Sequence, residues 1–426
     1  MSDSPNSEKS FLYFFPVVLL IAIACLINYV DRGNLSIAAS TLQNELHITA
    51  ADLGILLSAF FCTYTAFIFI SGWLVDRFSA NLVFVTGFAL WSLATAATGF
   101  VHGFLMLLMM RLLLGTGESV IFPCACKVLA SFVPERFRGI SNGLMTAGMK
   151  FGPAVGALGT GLLMAKYGWR PVFIGIGLVS LLWIPAWIWV TSQRVASARP
   201  GNTSAATSFQ ILRQRCFWLP TAGHFCSNYV MYFMVTWLPY YLQHERGLSL
   251  KQMPIVAATY YACDSLGAFS MGCLTDILAS SGRSKLRIRK LSMAFGSVIS
   301  AVMLIGCAFA GPNTYFYWLV AMGLSVGASG WGVLSLSQTF AGPQLAGKWG
   351  GLQNGFANFS GIFSPMITGF LVQWTGRFTA PLGVAAFMAI LGALSWSFAS
   401  ETSSLSIPRQ PYSSPPETAL QLPQPD

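Results

Sequence analysis

The sequence predicts an all-α integral membrane protein, twelve transmembrane helices in two pseudo-symmetric six-helix bundles. Composition, the spacing of apolar runs and an internal repeat each point there. Of 426 residues, 54% are hydrophobic and 9% charged, where a soluble protein carries about 25% charged. Apolar runs of membrane length begin near Phe11, Leu53, Leu82, Phe104, Leu144, Pro171, Phe217, Ile255, Leu291, Asn313, Leu352 and Pro381. They absorb nearly all of the sequence, and no remaining stretch is long enough for a soluble catalytic domain.

The repeat divides the chain. Gly72-Trp73-Leu74-Val75-Asp76-Arg77 returns 200 positions later as Gly272-Cys273-Leu274-Thr275-Asp276. Residues 143–169, laid without gaps on 351–377, match at Gly143/Gly351, Leu144/Leu352, Phe151/Phe359, Thr160/Thr368 and Gly161/Gly369. We therefore expect an N-terminal six-helix bundle in 1–192, a cytoplasmic linker in 193–215 and a C-terminal six-helix bundle in 216–400. Residues 401–426, rich in Pro and Ser, should form a disordered cytoplasmic tail.

The formal charge of +10 does not indicate nucleic acid, because the basic residues are spread over short loops. Their distribution sets topology. Arg77, Arg136, Arg138, Arg213, Arg215 and the run from Arg283 to Lys290 fall on one side, predicted cytoplasmic, while the other side holds few. An even span count then places both termini in the cytoplasm of a multi-pass plasma-membrane protein, expected in a bacterial inner membrane. The nine cysteines fall almost wholly within apolar segments and read as small core residues. Three of the four histidines (His47, His102, His244) fall at loops, and His224 is more simply a hydrogen-bonded core residue, so we expect no metal site.

In chain order, the first span carries Asn28-Tyr29-Val30-Asp31-Arg32-Gly33-Asn34-Leu35-Ser36, an acid and a base deep in an apolar run. Each such charge costs roughly 2.5–3.5 kcal/mol at a helix centre, so the pair needs a protein-lined surrounding and marks a function. Adjacent residues point about 100° apart around a helix, so Asp31 and Arg32 serve different partners. We assign the acid to protons and the guanidinium to a carboxylate. Tyr29 and Asn28 precede Arg32 by three and four and share its face.

In the fourth span, Arg111 and Glu118 lie seven apart on one helix face, and small residues (Gly115, Gly117, Ser119) flank the acid. The repeat sets them on Leu319 and Val326, so the C-terminal half lacks both charges. A desolvated acid beside an arginine is poised to take and release a proton, with Arg111 as a charge relay; the alternative is a fixed ion pair locking two helices. Lys150, in the fifth span, is a second anion-binding cation or a partner for Asp31 or Asp264. Lys127 is set aside because it points to the opposite face from Glu118 and can reach the cytoplasmic surface. Tyr64, Tyr232, Asn354 and Asn358 offer hydroxyl and amide contacts, the last two sharing a face.

Gly342-Pro343-Gln344-Leu345-Ala346-Gly347-Lys348-Trp349 has the spacing of a phosphate loop, but Trp349 replaces the metal-binding hydroxyl and no strand precedes it. It reads as a loop between spans ten and eleven, and no nucleotide or other cofactor is expected.

Together, N-Y-x-D-R-x-N-L-S at Asn28 to Ser36, G-W-L-x-D-R at Gly72 to Arg77, R-x6-E then F-P at Arg111, Glu118, Phe122 and Pro123, and P-x-x-x-R-G at Pro134 to Gly139 resemble the anion:cation symporter family of the major facilitator superfamily. N-Y-x-x-Y-F-x-x-T-W-L-P at Asn228 to Pro239 and N-x3-N at Asn354 and Asn358 extend the resemblance into the second half. It implies a major facilitator fold, Asp31 and Glu118 as proton-coupling acids, and Arg32, Tyr29, Tyr64 and an eleventh-span asparagine as substrate contacts. It also implies a cytoplasmic gating loop at Gly72, Asp76 and Arg77, with Asp276 in the second copy. There Ile277 stands where a basic residue is usual, and Arg283 to Lys290 are candidates to replace it. The expected function is proton-coupled import of a small organic anion, a sugar acid or short dicarboxylate, by a monomer in a lipid bilayer. A facilitator or anion exchanger, an intramembrane enzyme using Asp31, Glu118 and His224, and a transporter-like sensor are the rivals.

Overall fold

Backbone groups inside a bilayer find no water, so long apolar segments close their hydrogen bonds internally as helices. The computed structural model describes residues 10–194, 208–280 and 284–399, and every regular element among them is an α-helix. The first half comprises α1 (Phe11–Leu46), α2 (Ala50–Arg77), α3 (Ala80–Thr98), α4 (Phe104–Glu118), α5 (Ile121–Phe132), α6 (Glu135–Tyr167), α7 (Trp169–Ser180) and α8 (Trp183–Arg194). After the short α9 (Ser208–Leu212) come α10 (Arg215–His244), α11 (Met253–Ser280), α12 (Lys285–Phe309), α13 (Tyr315–Gly330), α14 (Val333–Asn358), α15 (Ser360–Thr375) and α16 (Thr379–Phe398). Nine segments among the described residues are long and apolar enough to cross a membrane, α4 with α5 and α7 with α8 each counting as one. The helices α6, α10 and α11, of 33, 30 and 28 residues, are as long but less apolar. Residues 195–207 of the expected linker and the expected tail lie outside the described residues.

Local chemistry sets the turns. At Thr49 the hydroxyl accepts from the Asp52 amide at 3.1 Å while the Asp52 carboxylate accepts from the Thr49 amide at 2.9 Å, a reciprocal cap that starts α2 sharply after α1. One expectation is corrected. The stretch Gly342–Trp349 is not a loop but lies within the continuous helix α14. Helix extension costs little once a helix is nucleated, and five of its eight residues are neither glycine nor proline. Trp349, fully buried, anchors it with its ring 5.1 Å from that of Phe217.

Packing joins the halves mainly at the His47 end. There one core combines Leu35, Leu42, Leu53 and Leu57 with Phe233, Trp237, Tyr260, Val372 and Leu382. At the Arg77 end the cores separate: Phe14, Phe84, Phe88, Trp91, Leu129 and Trp187 form one, and Met293, Leu336 and Trp396 another. Glycines bring backbones together at the junction. A Cβ on Gly54 of α2 would lie 2.8 Å from the Pro365 carbonyl and 3.1 Å from the Gly369 Cα of α15, so the absence of a side chain sets how closely these helices approach.

Candidate functional site

The site grows from the two consecutive charges of α1. The helix turns Arg32 toward α2 and α4 and Asp31 toward α3, as the 100° step requires. The Arg32 Nε donates to Glu118 Oε2 at 3.1 Å, and a terminal nitrogen donates to Asn28 Oδ1 at 3.2 Å. The partners are 3% and 0% exposed, so this is a fully desolvated ion pair. Its guanidinium also lies 4.7 Å from the Tyr29 ring, 5.2 Å from Phe60 and 4.5 Å from Tyr64. Aromatic faces stabilise a desolvated cation by about 2 kcal/mol, which helps hold a charge here that water cannot reach.

Asp31 is also buried, and it is not paired with Arg32. Its Oδ1 accepts from the Asn34 amide group at 3.1 Å, while its Oδ2, like Glu118 Oε1, has no hydrogen-bond partner among the described groups. Trp91 and Thr95 of α3, four residues apart, face it. The small residues beside Glu118 have the expected role. A Cβ on Gly115 would collide with the Phe60 carbonyl, and one on Gly117 would lie 2.7 Å from the Trp91 amide. Their bareness lets α4 lie against both α2 and α3, which brings Glu118 to Arg32.

Arg111 lies apart from the Arg32–Glu118 pair. Its Nε is 3.4 Å from the Leu56 carbonyl and its guanidinium 5.0 Å from the Phe60 ring. Arg32, from another helix, occupies the position next to Glu118, because seven residues along α4 separate Arg111 from the acid by about 10 Å. Phe60, which the sequence did not single out, lies between the two guanidiniums. Its only sequence signal is a place four residues before Tyr64, whose ring stacks on it at 5.5 Å.

The second half contributes polar groups. The Tyr232 hydroxyl of α10 donates to Asn358 Oδ1, and the Asn358 amide donates to the Asn354 carbonyl at 2.7 Å. Tyr232 packs on Phe61 of the first half at 4.3 Å between rings and is within electrostatic reach of Arg32. Lys150 pairs with Asp264, Nζ to Oδ2 at 3.0 Å, and the Ser265 hydroxyl donates to the Lys150 carbonyl at 2.8 Å. Of the alternatives for Lys150, the structure therefore has the Asp264 pair. His224 is half-buried, its Nδ1 without a partner among the described groups.

At the Arg77 end, Lys127 is more than a surface lysine. It donates to the Asp76 carboxylate at 3.1 Å and to the Val75 carbonyl, so the Gly72–Arg77 motif draws its partner from α5, a contact that spacing along one helix did not reveal. In the second copy Arg289, from the basic run, stands 3.8 Å from Asp276. A Cβ on Gly72 would meet nothing within 4 Å, so packing within this arrangement does not require glycine there.

Residues 21–354 match the family model described as Major Facilitator Superfamily. The chain is 28% identical to the hexuronate transporter of Bacillus subtilis, covering 89% of this chain and 93% of that one. It is also 28% identical to the probable galactarate/D-glucarate transporter GarP of Escherichia coli K12, covering 91% and 96%. A crystal structure of a bacterial homologue of the human lysosomal transporter Spinster superposes with a TM-score of 0.77 over 93% of this chain and 98% of that one, at 17% identity, which reports on fold. With two halves of membrane helices, a buried charge cluster within the first of them and a family match over most of its length, the chain belongs to the Major Facilitator Superfamily and is a multi-pass membrane transporter, not an enzyme.

Proposed function

We propose that the protein imports a sugar acid together with protons by alternating access. The observation that carries this reading is the fully buried Arg32–Glu118 pair with a second buried acid, Asp31, on the adjoining position of α1. A substrate carboxylate and Glu118 compete for one guanidinium. Protonating Glu118 frees Arg32 to bind the anion, and losing that proton returns Arg32 to Glu118 and releases the anion, so anion and proton travel together. Tyr29, Tyr64, Tyr232, Asn354 and Asn358 contribute the hydroxyl and amide contacts that sugar hydroxyls require, and Arg111 tunes the acids through space. Asp31 holds a second proton. Importing a monoanion with more than one proton moves positive charge inward, and 100 mV contributes about 2.3 kcal/mol per charge. With the predicted topology, the shared core at the His47 end closes the outer side, and the motifs at Gly72, Asp76, Arg77 and Asp276 govern the cytoplasmic side.

Purified protein in proteoliposomes should accumulate hexuronate or aldarate under an inward proton gradient and acidify the lumen. Asp31→Asn and Glu118→Gln should retain counterflow exchange but lose accumulation. If both variants still concentrate substrate, the coupling assignment fails; uptake without acidification by the native protein would instead identify a facilitator or anion exchanger.

A further inference from the structure

Lys150 and Asp264 form an ion pair unlike that of Arg32 and Glu118. Its partners come from opposite halves, α6 and α11, and are 28% and 15% exposed, whereas the other pair lies inside the first half and is sealed. A partly hydrated pair at the seam is open to exchange with a soluble anion.

Its height in the membrane follows from glycine contacts. Gly148 abuts Ala22 and Cys25, and Gly152 abuts Leu26 and Tyr29, so α6 and α1 run side by side and Lys150 lies level with the turn before Tyr29. Arg32 is then about 10 Å further along α1, with its guanidinium over the Tyr29 ring at 4.7 Å. A small cavity at the seam, lined by Tyr29, Gly33, Ile37 and Pro153 of the first half and Val235 and Tyr261 of the second, starts near the Tyr29 level and runs on past Gly33. Pro153 and Tyr261 are each one helical turn from Lys150 and Asp264. Two cations held at levels about 10 Å apart along the helices suit the two ends of a dicarboxylate.

We propose that Lys150 takes a second substrate carboxylate, so that the carrier prefers sugar diacids, and that Asp264 holds the lysine in place until the substrate displaces it. This rests on the sugar-acid reading above and deepens it. Asp264 acts as a built-in competitor: a diacid replaces it on Lys150 while its other carboxylate replaces Glu118 on Arg32. A monoacid satisfies Arg32 alone and leaves the seam pair intact.

The test is parallel uptake of D-glucarate and D-glucuronate by the native carrier, Lys150→Met, Lys150→Arg and Asp264→Asn in proteoliposomes. The expected result is a native preference for glucarate; at least a tenfold rise in KM for glucarate in Lys150→Met with glucuronate within twofold; and a preference kept in Lys150→Arg. Asp264→Asn should lower the KM for glucarate about threefold or more. The exchanged pair Lys150→Asp/Asp264→Lys distinguishes a purely structural latch. If it restores uptake of both acids to native values, or if Lys150→Met affects both acids equally, the inference is overturned while the sugar-acid reading stands. Failure of the native carrier to transport either acid overturns both.

Discussion

Removing Glu118 should expose how strongly the fold depends on the Arg32 pair. The two side chains are 3% and 0% exposed and 3.1 Å apart, and removing one partner of a buried pair costs about 3–5 kcal/mol because the other charge is left uncompensated. Here Arg32 keeps the Asn28 oxygen and three aromatic faces within 5.2 Å, and a glutamine at position 118 still offers a carbonyl. Glu118→Gln should therefore destabilise the protein by about 2–3 kcal/mol. Arg32→Met leaves a buried carboxylate with no cation beside it and, if Glu118 remains ionised, costs about 3–5 kcal/mol. The double variant removes both charges and should be less destabilised than the two single effects added. Reversible unfolding in mixed micelles of the four proteins gives the coupling energy, expected at about 1.5 kcal/mol or more. Additivity within about 0.5 kcal/mol would refute the argument that the two charges hold each other in the membrane.

Two further expectations follow from particular contacts. Tyr232→Phe deletes the hydroxyl bonded to Asn358 and leaves a buried amide oxygen without that donor, which costs about 1–3 kcal/mol; it should lower stability in the same unfolding assay and raise the KM for substrate, and a native KM would remove Tyr232 from the substrate contacts. Gly117→Val places a branched side chain where a single Cβ already lies 2.7 Å from the Trp91 amide and 2.9 Å from the Gly87 carbonyl. It should destabilise by about 1–3 kcal/mol or more and impair transport by moving Glu118 off Arg32, whereas Gly72→Ala, with nothing within 4 Å, should leave stability unchanged.

The sequence by itself determined the class of the molecule. Runs of about 20 apolar residues admit few structures in lipid, because every backbone group must be satisfied within its own segment, so helices and their approximate ends were legible from composition. Deep charges were legible for the same reason: Asp31, Arg32, Arg111, Glu118, Lys150 and Asp264 stand out against an uncharged background. The faces they share along one helix could be read too, and Asn28 and Tyr29 do meet Arg32. What only the tertiary structure decided was the pairing between helices. Glu118 has an arginine seven residues away on its own helix, yet its partner is Arg32, 86 residues distant, because glycines at 115 and 117 let α4 close against α2 and α3. Lys150 had two candidate acid partners until α6 met α11 and put Asp264 at 3.0 Å, and Lys127 looked dispensable until α5 brought it to Asp76. The Gly342–Trp349 segment was misread because turn-forming residues were weighed without the long helix that continues through them. Local sequence fixes which residues lie on a face, with a period of 3.6 residues; which face meets which is set by side-chain bulk at the crossing points, and that depends on helices far apart in the chain.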